Sequence, residues 1–373
     1  MVLTRRAHRE KMEIFRWLPN EILVRIIQQS GTADQATLCR LSKLFRDLCL
    51  PVLHRDVTIK GPRAIASFCS AILENPSRAD AVRSLTLDVP YYEPDVNHGD
   101  LILATLKLMW RLEHLSVSLC TLEDHHWANL LERGQYTQLT SCDLWVPTDA
   151  PVILPTRPSD LAVSFLTRHP TLKRVRFIFA DRIVPSQSVR VSLPNLEFYR
   201  GDAEFIVAID AICLKAVDLI WYSEDNVENI IVALSSITQP DLPFISSHEL
   251  RSWGGLRQIV TSLSKHMPHT QTLRLACLRG SLRQDTIRHI TESLPRFTGL
   301  VHLQIGYYGD FFQMSTPGGS DEDRIVVESW GEACPTLEAC CLNYLGWRKV
   351  DSRWEEFPIK EFWVLAGLSD IGY

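Results

Sequence analysis

The sequence predicts an α/β protein in which a small N-terminal helical block precedes an irregular solenoid of strand–helix units, with a parallel sheet inside and helices outside. Three observations predict it. Residues 15 to 57 carry apolar side chains at helical spacing, punctuated by proline and glycine. From Leu85 onward, a short frame of the form L-x-x-L-x-L recurs ten times over nearly 300 residues. Between the frames lie helical stretches, many closed by an x-Pro step.

Composition bounds the function. At 373 residues the chain is long for one compact core, so two domains or one extended repeat domain are expected. Apolar residues make up 46% and charged residues 22%, the balance of a folded protein rather than a disordered one. A formal net charge of -5 supplies no global basic field for nucleic acid or an anionic membrane, so neither partner is expected. No uncharged apolar run reaches the roughly 18 residues of a spanning helix. The segment MVLTRRAHREKMEIFRW is basic but has no apolar core or small-residue cleavage site, so a secretory signal is not expected. Ten cysteines, none in a CxxC, mostly sit in apolar runs and read as free thiols of a reducing compartment, the cytoplasm or nucleus.

In the helical block, Pro19 can open a helix because its missing N–H would be an orphan there anyway. Ile22, Leu23, Ile26 and Ile27 then share a stripe, and Gly31 ends the helix. Asp34 is expected to cap a second helix carrying Leu38, Leu41, Leu44, Phe45 and Leu48, with Pro51 as its stop. Val52, Leu53 and Val57 lead into an extended segment. Two such helices cannot bury their apolar faces unaided.

These residues resemble the F-box motif. The family opening Leu-Pro-x-Glu-Ile-Leu-x-x-Ile stands here as Leu18, Pro19, Glu21, Ile22, Leu23 and Ile26. Its Leu-rich second half is matched by Leu38, Leu41, Phe45, Leu48, Pro51 and Leu53. Gln29-Ser30-Gly31 and Lys43-Leu44 depart from the usual hydrophobic helix end and Val-Cys. The resemblance implies docking on the Skp adaptor of a cullin ubiquitin ligase, through Leu18, Pro19, Ile22, Leu23, Ile26, Leu38 and Leu41. The alternative is that the helices merely cap the solenoid.

The repeat is clearest at LEHLSVSLCTL, which fits L-x-x-L-x-L-x-x-N/C-x-L with Leu112, Leu115, Val117, Cys120 and Leu122. The fourth position of the frame recurs at Leu85, Cys142, Val175, Tyr199, Val217, Leu273, Leu303, Cys340 and Phe362. The gap of 56 residues from Val217 to Leu273 fits two repeats, placing a degraded one near Leu242 to Leu250. His169-Pro170, Met267-Pro268, Leu294-Pro295 and Cys334-Pro335 are expected helix closures. A single strand and helix cannot bury its own apolar face, so neighbours must stack. This resembles a leucine-rich repeat. The expected division is a tail at 1–14, an F-box domain at 15–62 and a solenoid at 63–373, as in the F-box proteins with leucine-rich-like tails of filamentous and mushroom-forming fungi. An ordinary α/β domain with chance L-x-L strands is the alternative.

A search for chemistry finds none assignable, so an enzyme, a cofactor and a metal are not expected. Adjacent His125 and His126 on a helix should point about 100° apart and so chelate one ion poorly, which favours a solvated or capping role. Cys340 and Cys341 should alternate inward and outward across a strand. Gly318-Gly319 lacks the Gly-Lys-[ST] of a phosphate cradle, and no G-x-S-x-G elbow occurs.

Strand alternation places Ser116, Ser118, Asp143, Trp145, Arg174, Arg176, Arg200, Asp202, Arg274, His302, Gln304, Asn343, Glu361 and Trp363 on the open sheet face. Between Arg168 and Arg200, seven basic residues stand against Asp181 and Glu197. Trp145, Arg174, Arg176, Arg200 and Trp363 are therefore the candidate substrate-binding residues, suited to an acidic or phosphorylated protein segment. The bland alternative is a solvated sheet face. The functional expectation is a substrate-recognition adaptor of a Skp–cullin–F-box ligase. A scaffold with a degenerate F-box is the second reading, and an enzyme revealed by a bound cofactor or metal is the third.

Overall fold

The computed structural model describes residues 18–89, 98–119, 122–146, 157–179, 189–223, 225–251, 253–278, 282–307 and 321–369. These form two compact units divided between Leu139 and Thr140. Readings that fall on residues 15–17, Cys120, Asp181, Arg182 and Gly318-Gly319 lie outside the described residues.

The first unit opens with three helices, α1 (Asn20–Gln29), α2 (Thr32–Leu38) and α3 (Lys43–Leu53). The single second helix expected from the sequence is therefore two. Ser42 explains the break: its hydroxyl accepts from the Phe45 N–H at 3.2 Å and starts α3 afresh. Asp34 lies inside the first turn of α2 rather than at its cap, and Gly31 is the capping residue, at an extended φ of -65. Pro51 does not stop α3, because in the last turn its missing N–H and ring remove only one helical bond before the end at Leu53.

The chain continues through β1 (Asp56–Lys60), α4 (Pro62–Glu74), β2 (Ser84–Val89), α5 (Gly99–Leu106), β3 (His114–Leu119) and α6 (Asp124–Arg133). β1 pairs in parallel with β2, and β2 with β3, in a register that sets Val57 beside Leu85 and Leu85 beside Leu115. The frame thus begins one strand earlier than expected, at Val57.

The second unit runs β4 (Ser141–Val146), α7 (Pro158–Arg168), β5 (Arg174–Phe179), β6 (Val191–Ser192), β7 (Phe198–Asp202), β8 (Ile209–Asp210), β9 (Ala216–Trp221), α8 (Val227–Ser236), β10 (Ile245–Leu250), α9 (Leu256–His266), β11 (Thr272–Cys277), α10 (Gln284–Ser293), β12 (His302–Tyr307), α11 (Asp321–Ala333), β13 (Ala339–Leu342), β14 (Leu345–Val350), β15 (Arg353–Phe357) and α12 (Ile359–Leu365). Strands β4, β5, β7, β9, β10, β11, β12 and β13 pair in that order, all in parallel. This is the strand-by-strand stacking of a leucine-rich-repeat-like solenoid.

Register confirms the frame position by position: Cys142, Val175, Tyr199 and Val217 are successive partners, as are Leu273, Leu303 and Cys340. Between Val217 and Leu273 stands Ser246, the fourth position of the degraded repeat. All eight side chains are buried. Phe165 of α7 meets Phe177 of β5 with ring centroids 5.8 Å apart, placing helices on this face.

The expected closures hold at His169, Met267 and Cys334, each of which follows the last residue of α7, α9 or α11. Leu294 likewise follows the last residue of α10, and Leu294-Pro295 then begins a short tight turn of helix, Leu294–Arg296.

The tenth frame fails. Phe362 lies in α12, not on a strand, because Ile359, Phe362 and Ala366 recur at helical spacing behind an N-capping Pro358. The repeats have by then given way to antiparallel β14 and β15. Asn343 and Tyr344, with φ of 51 and 66, make the tight turn that reverses the chain, so Asn343 is a turn residue rather than a sheet-face one.

Candidate functional site

In the helical block, Leu23 and Ile27 of α1 are buried, at 3% and 1% exposure. Gln35 of α2 is buried beside them, and its Nε2 donates to the carbonyls of Ile27 and Ser30, both at 2.9 Å. Those carbonyls belong to the last turn and cap of α1, where the Ile27 carbonyl also accepts from the Ser30 N–H at 3.1 Å. Sequence reasoning missed Gln35, since a glutamine on a short helix carries no signal of its own.

The neighbouring stripe of α1 faces outward. Ile22 is 40% and Ile26 51% exposed, and Leu41 and Leu44 reach 65% and 46%. Four of the thirteen most exposed large apolar side chains among the described residues thus fall in this block. Of the seven expected adaptor-binding residues, Pro19, Ile22, Ile26 and Leu41 are exposed, and Leu18 and Leu38 are half-buried. Leu23 is corrected: residues one apart on a helix differ by about 100°, so when Ile22 and Ile26 face out, Leu23 and Ile27 turn in.

The open face of the second sheet carries one continuous row across eight strands: Asp143, Arg176, Arg200, Asp218, Ser247, Arg274, Gln304 and Cys341. Arg176 Nη1 lies 3.4 Å from Asp143 Oδ2. Arg200 reaches Asp218 Oδ2 at 3.1 Å and Glu249 Oε2 at 3.5 Å. Asp218 also accepts from Ser247 at 2.7 Å and faces Arg274 at 3.6 Å. Burial pushes the carboxyls of Asp143 and Glu249 up, and Arg176 and Arg200 respectively oppose that rise.

The structure therefore brings Arg174, Arg176 and Arg200 together on adjoining strands, with Trp145 half-buried on the same face. Their local excess of positive charge is matched by Asp143, Asp218 and Glu249, which lie on other strands beyond the window from Arg168 to Arg200. Arg174 sits exposed with its guanidinium 4.6 Å over the Phe198 ring.

Trp363 is corrected. It belongs to α12 and packs with Ile359 and Ile245 against a cluster of Phe198, Ala216, Ala339, Cys341 and Phe362. Thr272 Oγ1 donates to the Ala366 carbonyl at 3.1 Å, and His302 meets Phe362 edge-on at 6.5 Å. The C-terminal helix thus covers part of the face expected to be open and buries Cys341, while Cys340 is buried on the inward face. Burial raises both thiols, Cys341 to about 12. Among the nine described cysteines, all of them free, Cys213 is the exposed exception to the expected pattern.

His125 and His126 also depart from expectation. His125 is exposed, but the His126 ring is only 2% exposed and so is not a solvated side chain. No helix among the described residues is long and apolar enough to cross a membrane.

No family model matches the sequence, and no curated protein is similar to it. Among solved structures, a protein from Bacteroides fragilis is similar at 12% identity and a TM-score of 0.43, over 77% of this chain and 75% of that one. The complex of Rad7 and Elc1 in yeast is similar at 13% identity and a TM-score of 0.39, over 91% and 93%.

Proposed function

We propose that the protein is a substrate-recognition adaptor of a Skp–cullin–F-box ubiquitin ligase, acting without catalysis of its own inside the cell. The F-box, residues 15–62, docks on the Skp subunit and through it on a cullin, while the solenoid, residues 63–373, holds a protein substrate.

One observation carries the reading. Of the positions that match the F-box opening, Leu23 packs inward beside Ile27, while Ile22 and Ile26 face outward beside exposed Pro19. Leaving large apolar side chains in water is unfavourable by roughly 25 cal/mol per Å² unless a partner covers them.

Substrate binding through Arg176 or Arg200 would require an acidic segment to compete with Asp143, Asp218 and Glu249. Arg174, exposed over the Phe198 ring, and half-buried Trp145 on the same face are the first contacts for an acidic or phosphorylated substrate.

The test is co-purification with the Skp adaptor subunit, comparing the native chain with Ile22→Ala/Ile26→Ala. Retention by the native chain and loss in the variant supports the adaptor reading. A folded native chain that retains no adaptor leaves a protein-binding scaffold with a degenerate F-box.

A further inference from the structure

At the start of α6, the rings of His125 and His126 do not diverge as adjacent helical side chains should. Their centroids lie 3.7 Å apart, and Asp100 at the start of α5 faces them. One ligand atom from each of Asp100, His125 and His126 lies within 4.8 Å of the other two.

The contact between His126 Nε2 and Asp100 Oδ1 is 3.5 Å. That is long for a hydrogen bond, whose N···O distance falls at roughly 2.7–3.2 Å. It is close to the edge of a tetrahedral zinc site, where bonds of about 2.0–2.1 Å place neighbouring ligand atoms about 3.3–3.4 Å apart.

The His126 ring shows a second unusual feature. It is buried, yet its Nδ1 has no hydrogen-bond partner among the described residues. Buried polar atoms are nearly always paired, yet the long contact leaves Nε2 poorly satisfied as well; an ion at the Asp100 side would engage Nε2, while Nδ1 stays bare. Nor is the ring placed by default. A Cβ on residue 99 would collide with it, so Gly99 is what lets α5 approach His126.

We propose that Asp100, His125 and His126 form a binding site for a divalent transition-metal ion of the zinc class. Two imidazoles and one carboxylate are the donor set such an ion prefers over the oxygen-only ligands of magnesium or calcium. The positive end of α6 disfavours a cation, and Asp100, Glu123 and Asp124 offset it with three carboxylates. His125 Nδ1 lies 3.2 Å from Glu123 Oε2, a carboxylate placed to orient that ring in the manner of an outer-shell partner. Access is open, because the side chains of Asp100 and His125 are 97% and 59% exposed. Three protein ligands leave a fourth position for water.

The experiment is calorimetric titration of Zn²⁺ into the tag-free, chelator-treated full chain under reducing conditions. His125→Ala and Asp100→Asn serve as variants, since both side chains are exposed and their loss spares the core. The expected result is one saturable site per chain, weakened by at least ~10-fold in each variant, the scale seen even for loss of an outer-shell partner. No saturable heat in the native chain would overturn the proposal. So would a site whose affinity is unchanged in both variants, which would place the ion on other ligands such as the cysteines.

Discussion

Gln35 fastens the second helix to the first: its Nε2 donates at 2.9 Å to the carbonyl of Ile27, the most deeply buried apolar residue of α1. A second bond of equal length goes to Ser30. This fork holds the C-terminal end of α1 against α2 and so fixes which way Ile22 and Ile26 face.

Gln35→Glu should therefore destabilise the helical block. A carboxylate cannot donate, so the Ser30 carbonyl loses the Gln35 amide and the Ile27 carbonyl keeps only the Ser30 N–H, at a cost of about 1–3 kcal/mol. Urea unfolding followed by circular dichroism, with the native chain as reference, measures the difference. An unchanged midpoint would show that the fork does not hold the helices.

The two stripes of α1 should respond in opposite ways. Leu23→Ala removes a core side chain at 3% exposure and should cost about 2–5 kcal/mol. Ile22→Ala and Ile26→Ala, at exposed positions, should stay within about 0.5 kcal/mol of the native chain. Thermal unfolding of the three variants side by side checks the contrast.

His248 makes folding sensitive to acid. Trp221 Nε1 donates to its Nδ1 at 3.0 Å, so the proton sits on Nε2, which donates to Ser246 at 2.8 Å. Burial holds this imidazole down at about 3. Because the folded value lies below the ordinary 6.5, the unfolded chain binds the proton first as pH falls. The stability is complete above pH 6.5 and is lost as pH drops toward 3, by about 1.4 kcal/mol per pH unit. Buried His169 and His302 are lowered for the same reason and add in the same direction. Denaturant unfolding at pH 7, 6 and 5 should show stability falling, more steeply from 6 to 5 than from 7 to 6, and His248→Leu should reduce the fall.

Asp218 is fully buried between Arg200 and Arg274. Asp218→Ala would leave both guanidiniums without it and should cost on the order of 3–5 kcal/mol. A double-mutant cycle with Arg200→Ala should recover part of that loss. Strict additivity would show that the two residues act independently.

The solenoid was legible because its signal is one-dimensional. Leu85, Leu115, Val175 and Leu303 repeat an inward position that any parallel stacking must bury. The degraded repeat could be placed but not understood from spacing. Its inward positions are Ser246 and His248, polar residues that survive in the core because each satisfies the other and Trp221. Charge was misread for a related reason. Arg176 and Arg200 look unbalanced within a sequence window, whereas their carboxylates come from β4, β9 and β10 across the sheet. The end of the repeat was hidden by Phe362 and Trp363, whose apolar character fits a strand frame as well as a helix. In the helical block the motif residues were visible, but their division into packed Leu23 and outward Ile22 depends on the α1–α2 angle that Gln35 sets.

The central claim is that the outward face of α1 docks on the Skp adaptor. Its most direct measurement is calorimetric titration of the purified adaptor subunit into the full chain, native and Ile22→Ala/Ile26→Ala, after unfolding curves have shown both to be equally stable. A saturable one-to-one complex is expected for the native chain, with its loss in the variant. Binding of equal strength by both chains, or by neither, would contradict it.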